Sequence, residues 1–306
     1  MNEERTVLVI KFGALGDFIQ ALGPFAAIRH HNAANRIVLL TTSPFVQIAE
    51  ASGCFDEVHS GGRPEWWQFS KTRALRNWMR SLDPQRVYDL QTSGRSSRYL
   101  KLFRRPRPEW SGIANGCSHP HANPARDYMH TIERQAEQLS VAGIENIPTP
   151  NLDWLDTDTS RITVPDRFIL IAPGGAAHRP DKRWPHYADL ARSLIEQDLT
   201  PVLLGTEAER DVTAAIHAAC PGAIDLTSGT NLMEIAGLAR CAAGAVGNDT
   251  GPMHLIAATG CPSLVLYSSA SDPALCAQRG PDVRILQKPN LADVGVEEVE
   301  AQLTLR

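Results

Sequence analysis

A polar turn that contains Asp249, Thr250 and Gly251 directly precedes a predicted helix that starts near Met253. It follows a small apolar run, residues 242–246, that is typical of a buried strand. The first N–H groups of a helix lack partners within the helix, and the helix dipole makes this end positive, which favours a phosphate. The alternative interpretation is a capped helix start, with Asp249 or Thr250 as the N-cap.

A second glycine-containing loop, at residues 173–185, lies between a strand-like run and a helix-like stretch with an apolar stripe. It contains Gly174, Gly175 and Lys182. Glycines after a strand, followed by a lysine and a helix, are typical of a phosphate-binding loop. It is not a P-loop, because the Gly-Lys-Ser/Thr sequence is absent. For Lys182 taken alone, a solvated surface lysine is the alternative.

Basic residues are concentrated at residues 63–107, where 12 arginines and lysines face only three acidic residues. This excess predicts a platform for an anionic acceptor, with its binding residues at Arg63, Arg95, Arg98 and Lys101. Arg95, Arg98, Lys101 and Arg105 would share one face if helical. A solvated basic face is the alternative, and no helix-turn-helix, RNP or zinc motif favours nucleic acid. Four aromatic residues lie in the same segment: Trp66, Trp67, Phe69 and Trp78. They are expected either to border a bound lipid or sugar or to belong to the core.

Strands and helices must alternate to position these residues. Helices are predicted at residues 17–30, 45–51, 128–142 and 186–197, and strands at 6–11, 36–42, 87–90, 168–172, 201–205, 223–226, 244–247, 263–267 and 283–286. The alternation predicts parallel sheets covered by helices on both faces, in an α/β fold of two Rossmann-like domains facing a cleft. Ligands of such sheets bind beyond the carboxyl ends of the strands, where the motifs lie. A Pro-, Asp- and Thr-rich stretch, residues 148–165, is the predicted linker, so the domains are expected at 1–158 and 159–306.

The composition is that of a globular protein with 306 residues, 43% hydrophobic residues and a net charge of −4. No apolar run approaches the roughly 18 residues of a membrane span, and the N-terminus lacks the pattern of a signal peptide. The six cysteines form no close Cys-x-x-Cys pair. These features predict a cytoplasmic protein without disulfides or zinc.

The two motifs together, with three further segments, resemble glycosyltransferase family 9, the heptosyltransferases of lipopolysaccharide core assembly. The resemblance is strongest over residues 168–273 and weaker at 55–150. It rests on Lys182-Arg183-Trp184-Pro185, Asn248-Asp249-Thr250-Gly251-Pro252-Met253-His254, Gly16-Asp17 between a strand and a helix, Leu203-Leu204-Gly205 followed by Glu209, and residues 232–239.

The resemblance implies a GT-B fold and inverting transfer of a sugar, heptose in this family, from a nucleoside-diphosphate donor such as ADP-heptose. The acceptor would be a lipopolysaccharide core or related anionic glycan, and neither metal nor cofactor would be required. The resemblance implies a cytoplasmic protein. A peripheral contact of the protein with the inner face of the inner membrane of a Gram-negative bacterium is left open. Two departures, Tyr267-Ser268-Ser269 and the hydroxyl-free loop at 174–177, bear on the donor.

The resemblance also assigns residues to roles. Asp17 would be the general base that takes the acceptor proton, and Lys182 would neutralise the departing diphosphate together with backbone N–H groups. The donor-binding set would be Gly174, Gly175, Glu209, Asp249, Thr250, Gly251, Pro252, Met253 and His254. Alternatives stay open for three of these roles: a capping role for Asp17, Glu207 in place of Glu209 at the ribose, and a structural role for His254.

Two other function classes fit the same pattern: a sugar-nucleotide epimerase on this fold, and a non-catalytic protein that binds a sugar nucleotide or polysaccharide. The presence of both Asp17 and Lys182 argues against the second. An NAD-dependent dehydrogenase is disfavoured because the first turn, residues 13–17, lacks Gly-x-Gly-x-x-Gly and no acidic residue follows the strand at Thr41.

Overall fold

The computed structural model describes residues 5–65, 67–175 and 179–306. Trp66 and residues 176–178 of the predicted phosphate loop lie outside the described residues. The chain divides into two compact units, Met1–Thr149 and Pro150–Arg306. The predicted boundary at residue 158 falls within the second unit.

Six strands form the sheet of the first unit: β1 (Thr6–Ile10), β2 (Arg36–Thr41), β3 (Glu57–Ser60), β4 (Arg86–Asp89), β5 (Glu109–Gly112) and β6 (His119–Pro120). Its helices are α1 (Leu15–Ile19), α2 (Leu22–His31), α3 (Val46–Ala51), α4 (Phe69–Leu82), α5 (Gly94–Arg98) and α6 (Thr131–Val141). The strands are all parallel, in the order β3-β2-β1-β4-β5-β6.

The first sheet is buried at its centre because its middle strands are continuous apolar runs. Residues 7–10 of β1 and 37–40 of β2 are almost completely buried. Such runs, without a polar face, are what a parallel sheet covered on both sides requires. The order of the strands reverses between β1 and β4, and this is where an open α/β sheet has its ligand crevice.

The second unit repeats this design with β7 (Phe168–Ala172), β8 (Thr200–Leu203), β9 (Ile224–Asp225), β10 (Gly244–Asn248), β11 (Ser263–Tyr267) and β12 (Val283–Gln287). Its helices are α7 (Tyr187–Glu196), α8 (Arg210–Ala219), α9 (Leu232–Cys241), α10 (Gly251–Ala258), α11 (Pro273–Cys276) and α12 (Val296–Gln302). The parallel order β12-β11-β10-β7-β8-β9 places the reversal between β7 and β10. Both units therefore have Rossmann topology, which confirms the predicted fold class.

Two predictions about local structure need correction, and several elements were not predicted. The helix predicted at residues 17–30 is two helices, α1 and α2, because the chain turns at Gln20 and Ala21. The predicted basic helical face is also broken: α5 ends at Arg98, a 3₁₀ turn covers Tyr99–Leu102, and Arg105 lies beyond both. The strands β3, β5 and β6 were not predicted, because they are short and carry polar residues. The helix α4 was not predicted either.

All six cysteines are free thiols. Within the described residues, no helix is both long and apolar enough to cross a lipid bilayer.

Candidate active site

The turn after β1 brings Asp17 to the carboxyl edge of the first sheet. Gly13 has a φ of +98°, and a Cβ there would lie 2.5 Å from Cε2 of Phe45, so only glycine fits this turn. Helix α1 then begins, with Ala14 as its N-cap and Asp17 in its first turn. Asp17 is half-buried and is not the N-cap residue. The capping role left open for Asp17 therefore does not apply at the N-cap position.

Two ionisable residues that the sequence analysis did not select lie at the strand reversal beside this turn. Lys11 directly follows β1, and Asp89 ends β4; both are buried. The Lys11 ammonium donates to the carbonyl oxygen of Leu90 over 3.1 Å. Burial lowers the pKa of Lys11, and the negative charge of Asp17 opposes this. A lysine at the end of an apolar strand was the sequence signal for this position.

Asp89 is the most deeply buried carboxyl at this edge. Its Oδ1 accepts a hydrogen bond from the Thr92 backbone N–H over 3.1 Å, while its buried Oδ2 has no hydrogen-bond partner among the described residues. Burial raises the pKa of Asp89 to about 7, although hydrogen bonds from Ser96 and Thr92 and the charge of Lys11 oppose this. Asp89 therefore gains or loses its proton near neutral pH.

We expect the free energy of unfolding of Asp89→Asn, compared with that of the wild type at the same pH, to increase as pH rises. A carboxyl whose pKa is raised on folding binds its proton more tightly in the folded state, so wild-type stability falls between about pH 4 and about 7. The fall is up to about 1.4 kcal/mol per pH unit, and the variant lacks this term. Urea unfolding of both proteins at pH 5 and pH 8 measures it. Parallel pH dependences would contradict the assignment.

Asn248 organises the carboxyl edge of the second sheet. It ends β10 and is completely buried. Its Nδ2 donates to the carbonyl oxygens of Pro173 (2.8 Å) and Gly174 (2.9 Å), and its Oδ1 accepts from Trp184 N (3.1 Å) and the Tyr187 hydroxyl (3.0 Å). One amide thus fixes both predicted motifs to each other. Asn248 was part of the quoted motif, yet it was not selected as a site residue.

Lys182 and Asp249 form a largely buried ion pair at this edge. The ammonium lies 2.8 Å from Asp249 Oδ2, and the two side chains are 16% and 10% exposed. Asp249 also accepts hydrogen bonds from Ser271 (2.7 Å) and the hydroxyl of Tyr267 (3.1 Å). Burial raises the pKa of Asp249, but the bonds from Lys182 and Ser271 and the charge of Lys182 outweigh it, and the net pKa is lowered. Lys182 is therefore not a solvated surface lysine.

Helix α10 begins immediately after this pair. Thr250 is its N-cap, without a hydrogen bond from its side chain, and Gly251 and Pro252 are the first helical residues. Thr250 therefore occupies the N-cap position, but its side chain does not cap the helix. Met253 is fully buried and His254 nearly so. The side chain of Met253 thus belongs to the core, and only its backbone N–H faces the helix end.

Glu209 lies against the glycine loop. It sits in a 3₁₀ turn, Glu207–Glu209, where its Oε2 accepts from Thr206 N over 2.9 Å. A Cβ at Gly174 would lie 2.7 Å from Glu209 Cγ, so a larger residue there would displace the Glu209 side chain. Glu207 instead pairs with Arg210 on the surface, 2.5 Å away. The structure thus brings Glu209, and not Glu207, to the loop that contains Gly174 and Gly175.

The four predicted acceptor-binding residues are all exposed. The guanidinium of Arg63 lies 5.4 Å from the ring centroid of Phe12, the residue after Lys11. Arg95 donates to the carbonyl oxygen of Pro64 over 3.2 Å. Both are therefore at the carboxyl edge of the first sheet. Arg98 and Lys101 follow on α5 and the next 3₁₀ turn.

Some of the other basic residues of segment 63–107 lie away from the predicted acceptor-binding residues. A groove lies at the opposite edge of the first sheet, where residues 84–85 and 108 precede β4 and β5. It is lined in part by Arg80, Arg104 and Arg107. The basic excess is thus divided between two edges of the sheet.

In the described part of the chain, no group of three or more His, Cys, Asp or Glu side chains is arranged to hold a metal ion.

Comparisons with known proteins agree with this geometry. The family model described as glycosyltransferase family 9 (heptosyltransferase) matches residues 83–294. Lipooligosaccharide heptosyltransferase 2 of Haemophilus influenzae is 38% identical over 113 residues, which are 35% of this chain and 33% of that protein. The chain thus aligns with about a third of the length of this curated relative.

Solved structures share the fold over nearly the whole chain. The Escherichia coli ADP-heptose lipopolysaccharide heptosyltransferase II superposes with a TM-score of 0.81 at 20% identity, covering 97% of each chain. A family 9 glycosyl transferase from Veillonella parvula gives a TM-score of 0.84 at 17% identity, with 99% of this chain and 97% of that chain covered. At these identities the likeness concerns the fold, which is of the GT-B type.

Proposed function

This chain belongs to glycosyltransferase family 9, and we propose on that premise that it transfers heptose from ADP-heptose to a lipopolysaccharide core or related anionic glycan. The observation that carries the proposal is the buried pair of Lys182 and Asp249 at the start of α10. A cation and the N–H groups of a helix N-terminus at the strand reversal suit a diphosphate. The resemblance of these residues to the family motifs supports their assignment to the donor.

The transfer proceeds with inversion at the anomeric carbon. The acceptor hydroxyl attacks that carbon, its proton passes to the Asp17 carboxylate, and the bond to the diphosphate breaks to release ADP. Lys182 and the backbone N–H groups of Thr250, Gly251 and Met253 stabilise the charge that grows on the leaving phosphate. Glu209 accepts hydrogen bonds from the ribose hydroxyls. The first unit binds the acceptor and the second unit binds the nucleotide sugar.

The chemistry needs no metal in this proposal, because Lys182 supplies the positive charge that the leaving diphosphate requires. The reaction takes place in the cytoplasm of a Gram-negative bacterium, at the inner face of the inner membrane. The similar E. coli protein of known structure is an ADP-heptose heptosyltransferase, and the H. influenzae relative is a lipooligosaccharide heptosyltransferase. These two similarities support the donor and the acceptor chosen.

An acceptor-dependence assay tests the function. Purified protein is incubated with ADP-heptose, with and without a heptose-deficient core oligosaccharide, and ADP release and acceptor mass are measured. The proposed activity requires ADP release only with acceptor and a mass gain of one heptose, whose anomeric configuration is read by NMR. Conversion of the donor without acceptor would indicate an epimerase. Donor binding without conversion under any condition would indicate a binding protein.

The acceptor residues lead to a salt-dependence prediction. Affinity for the core oligosaccharide should fall as salt rises, because exposed charges are screened over about 8–10 Å at physiological ionic strength. Replacing Arg95 and Arg98 by glutamate should weaken it further while donor affinity stays the same. Calorimetric titrations at low and high salt measure both effects. Charge reversal at Arg104 and Arg107, in the groove at the opposite edge, is the matched control. Affinity that does not change with salt would exclude an electrostatic platform.

A further inference from the structure

Two large aromatic side chains stand on the surface at the start of α4. Trp67 is 56% exposed and Phe69 is 75% exposed. Elsewhere in the described residues, exposed large apolar side chains occur singly: Tyr128, Val141, Ile195, Ile285 and Leu305. Single exposed apolar residues are ordinary, whereas adjacent ones on a polar rim mark an interaction surface.

Basic residues neighbour this aromatic pair in the sequence. Lys71 and Arg73 lie in the first turns of α4 and are exposed, as is Arg63 in the preceding loop. The nearby carboxylate, Glu65, has the Arg95 guanidinium 3.7 Å away, which offsets its charge. We call Arg63, Trp67, Phe69, Lys71 and Arg73 the aromatic–basic patch. Its net charge is positive.

The patch lies at the functional edge of the first sheet. Its loop directly follows β3, and α4 starts where that loop ends, so both are at the carboxyl ends of the strands. Arg95 bonds to the backbone of Pro64 in this loop, and Arg63 packs over Phe12 next to Lys11. The same edge carries Asp17.

We propose that the aromatic–basic patch docks the first unit onto an anionic lipid bilayer. Tryptophan and phenylalanine on one side of a basic surface suit the headgroup region, where rings insert and cations meet anionic lipids. A soluble sugar is the weaker fit, because sugar and other ligand sites are concave and more than half of each of these side chains is exposed. Docking would give the enzyme access to an acceptor carried by a lipid, and this purpose rests on the proposed function.

Vesicle co-sedimentation of the full chain tests the proposal without any turnover. Binding should be strong with vesicles of phosphatidylglycerol and phosphatidylcholine, weak with phosphatidylcholine alone, and reduced by salt. The double variant Trp67→Ala, Phe69→Ala should weaken binding about tenfold or more. The variant Lys71→Glu, Arg73→Glu should do the same. Tyr128→Ala is the matched control, since Tyr128 is an 83% exposed aromatic residue of the same unit.

The outcomes separate this inference from the proposed function. Unchanged binding in the aromatic double variant, or equal binding to neutral and anionic vesicles, would overturn the docking surface. Self-association that the double variant abolishes, with no lipid binding, would instead identify a contact between copies of the chain and also overturn it. Acceptor-dependent turnover without vesicle binding leaves the proposed function standing alone. Vesicle binding without acceptor-dependent turnover would support the docking surface and contradict the proposed function. Melting temperatures of the variants confirm that each is folded, and Phe69→Ala alone serves if the double variant is not.

Discussion

Replacing Asp17 by asparagine should slow acceptor-dependent ADP release by about 10²–10⁴-fold, the usual loss when a general base is removed. Asparagine keeps the size of the side chain but cannot take the acceptor proton. Donor affinity should stay the same, because Asp17 belongs to the first unit and the donor residues to the second. The melting temperature should also change little, because Ala14 is the N-cap of α1. Steady-state kinetics, donor calorimetry and thermal unfolding measure the three quantities.

Asp83→Asn is the matched control for this variant. Asp83 ends α4 in the left-handed region, with φ at +43°, a conformation that asparagine also adopts. It lines the groove at the opposite edge of the first sheet, so its replacement should leave the rate unchanged. A rate that survives in Asp17→Asn would remove Asp17 from the role of base. A loss of melting temperature in step with the rate would make its role structural.

Replacing Lys182 by alanine should weaken ADP binding by about 1.5–3 kcal/mol, the range for a hydrogen bond to a charged group. The structure adds a second reason for a large effect. Without the ammonium, the Asp249 carboxylate keeps its hydrogen bonds from Ser271 and Tyr267 but loses its cation. It would then repel the incoming diphosphate. Calorimetry of ADP binding to wild type and variant measures the loss.

Lys288→Ala is the matched control, since Lys288 also pairs with a carboxylate, that of Glu298, after the outer strand β12 of the same sheet. It should leave ADP affinity unaltered. Lys182→Arg should recover part of the affinity, because it restores the positive charge. Equal ADP affinity of Lys182→Ala and wild type would place the diphosphate elsewhere. Because ADP alone is the probe, this result does not depend on the identity of the acceptor.

The strong sequence signals lay in segments whose local pattern already determines their structure. The strands β7 and β11 have the predicted bounds because they are short, mostly apolar runs that are completely buried, as a covered parallel sheet requires. The glycine turn before Asp17 was visible because a positive φ demands that residue type. The strands β3, β5 and β6 gave no such signal: they are two to four residues long, and their hydrogen bonds to neighbouring strands define them.

The residue pattern alone predicted a two-unit α/β chain of family 9, and it marked Lys182, Asp249 and the start of α10 as the proposed donor motif. The folded chain was needed to see that Asp249 pairs with Lys182, that Asn248 joins the two motifs, and that Lys11 and Asp89 lie at the same strand reversal. The physical reason is distance along the chain. These partners are 64 to 79 residues apart in sequence, and only the pairing of parallel strands brings their carboxyl ends together.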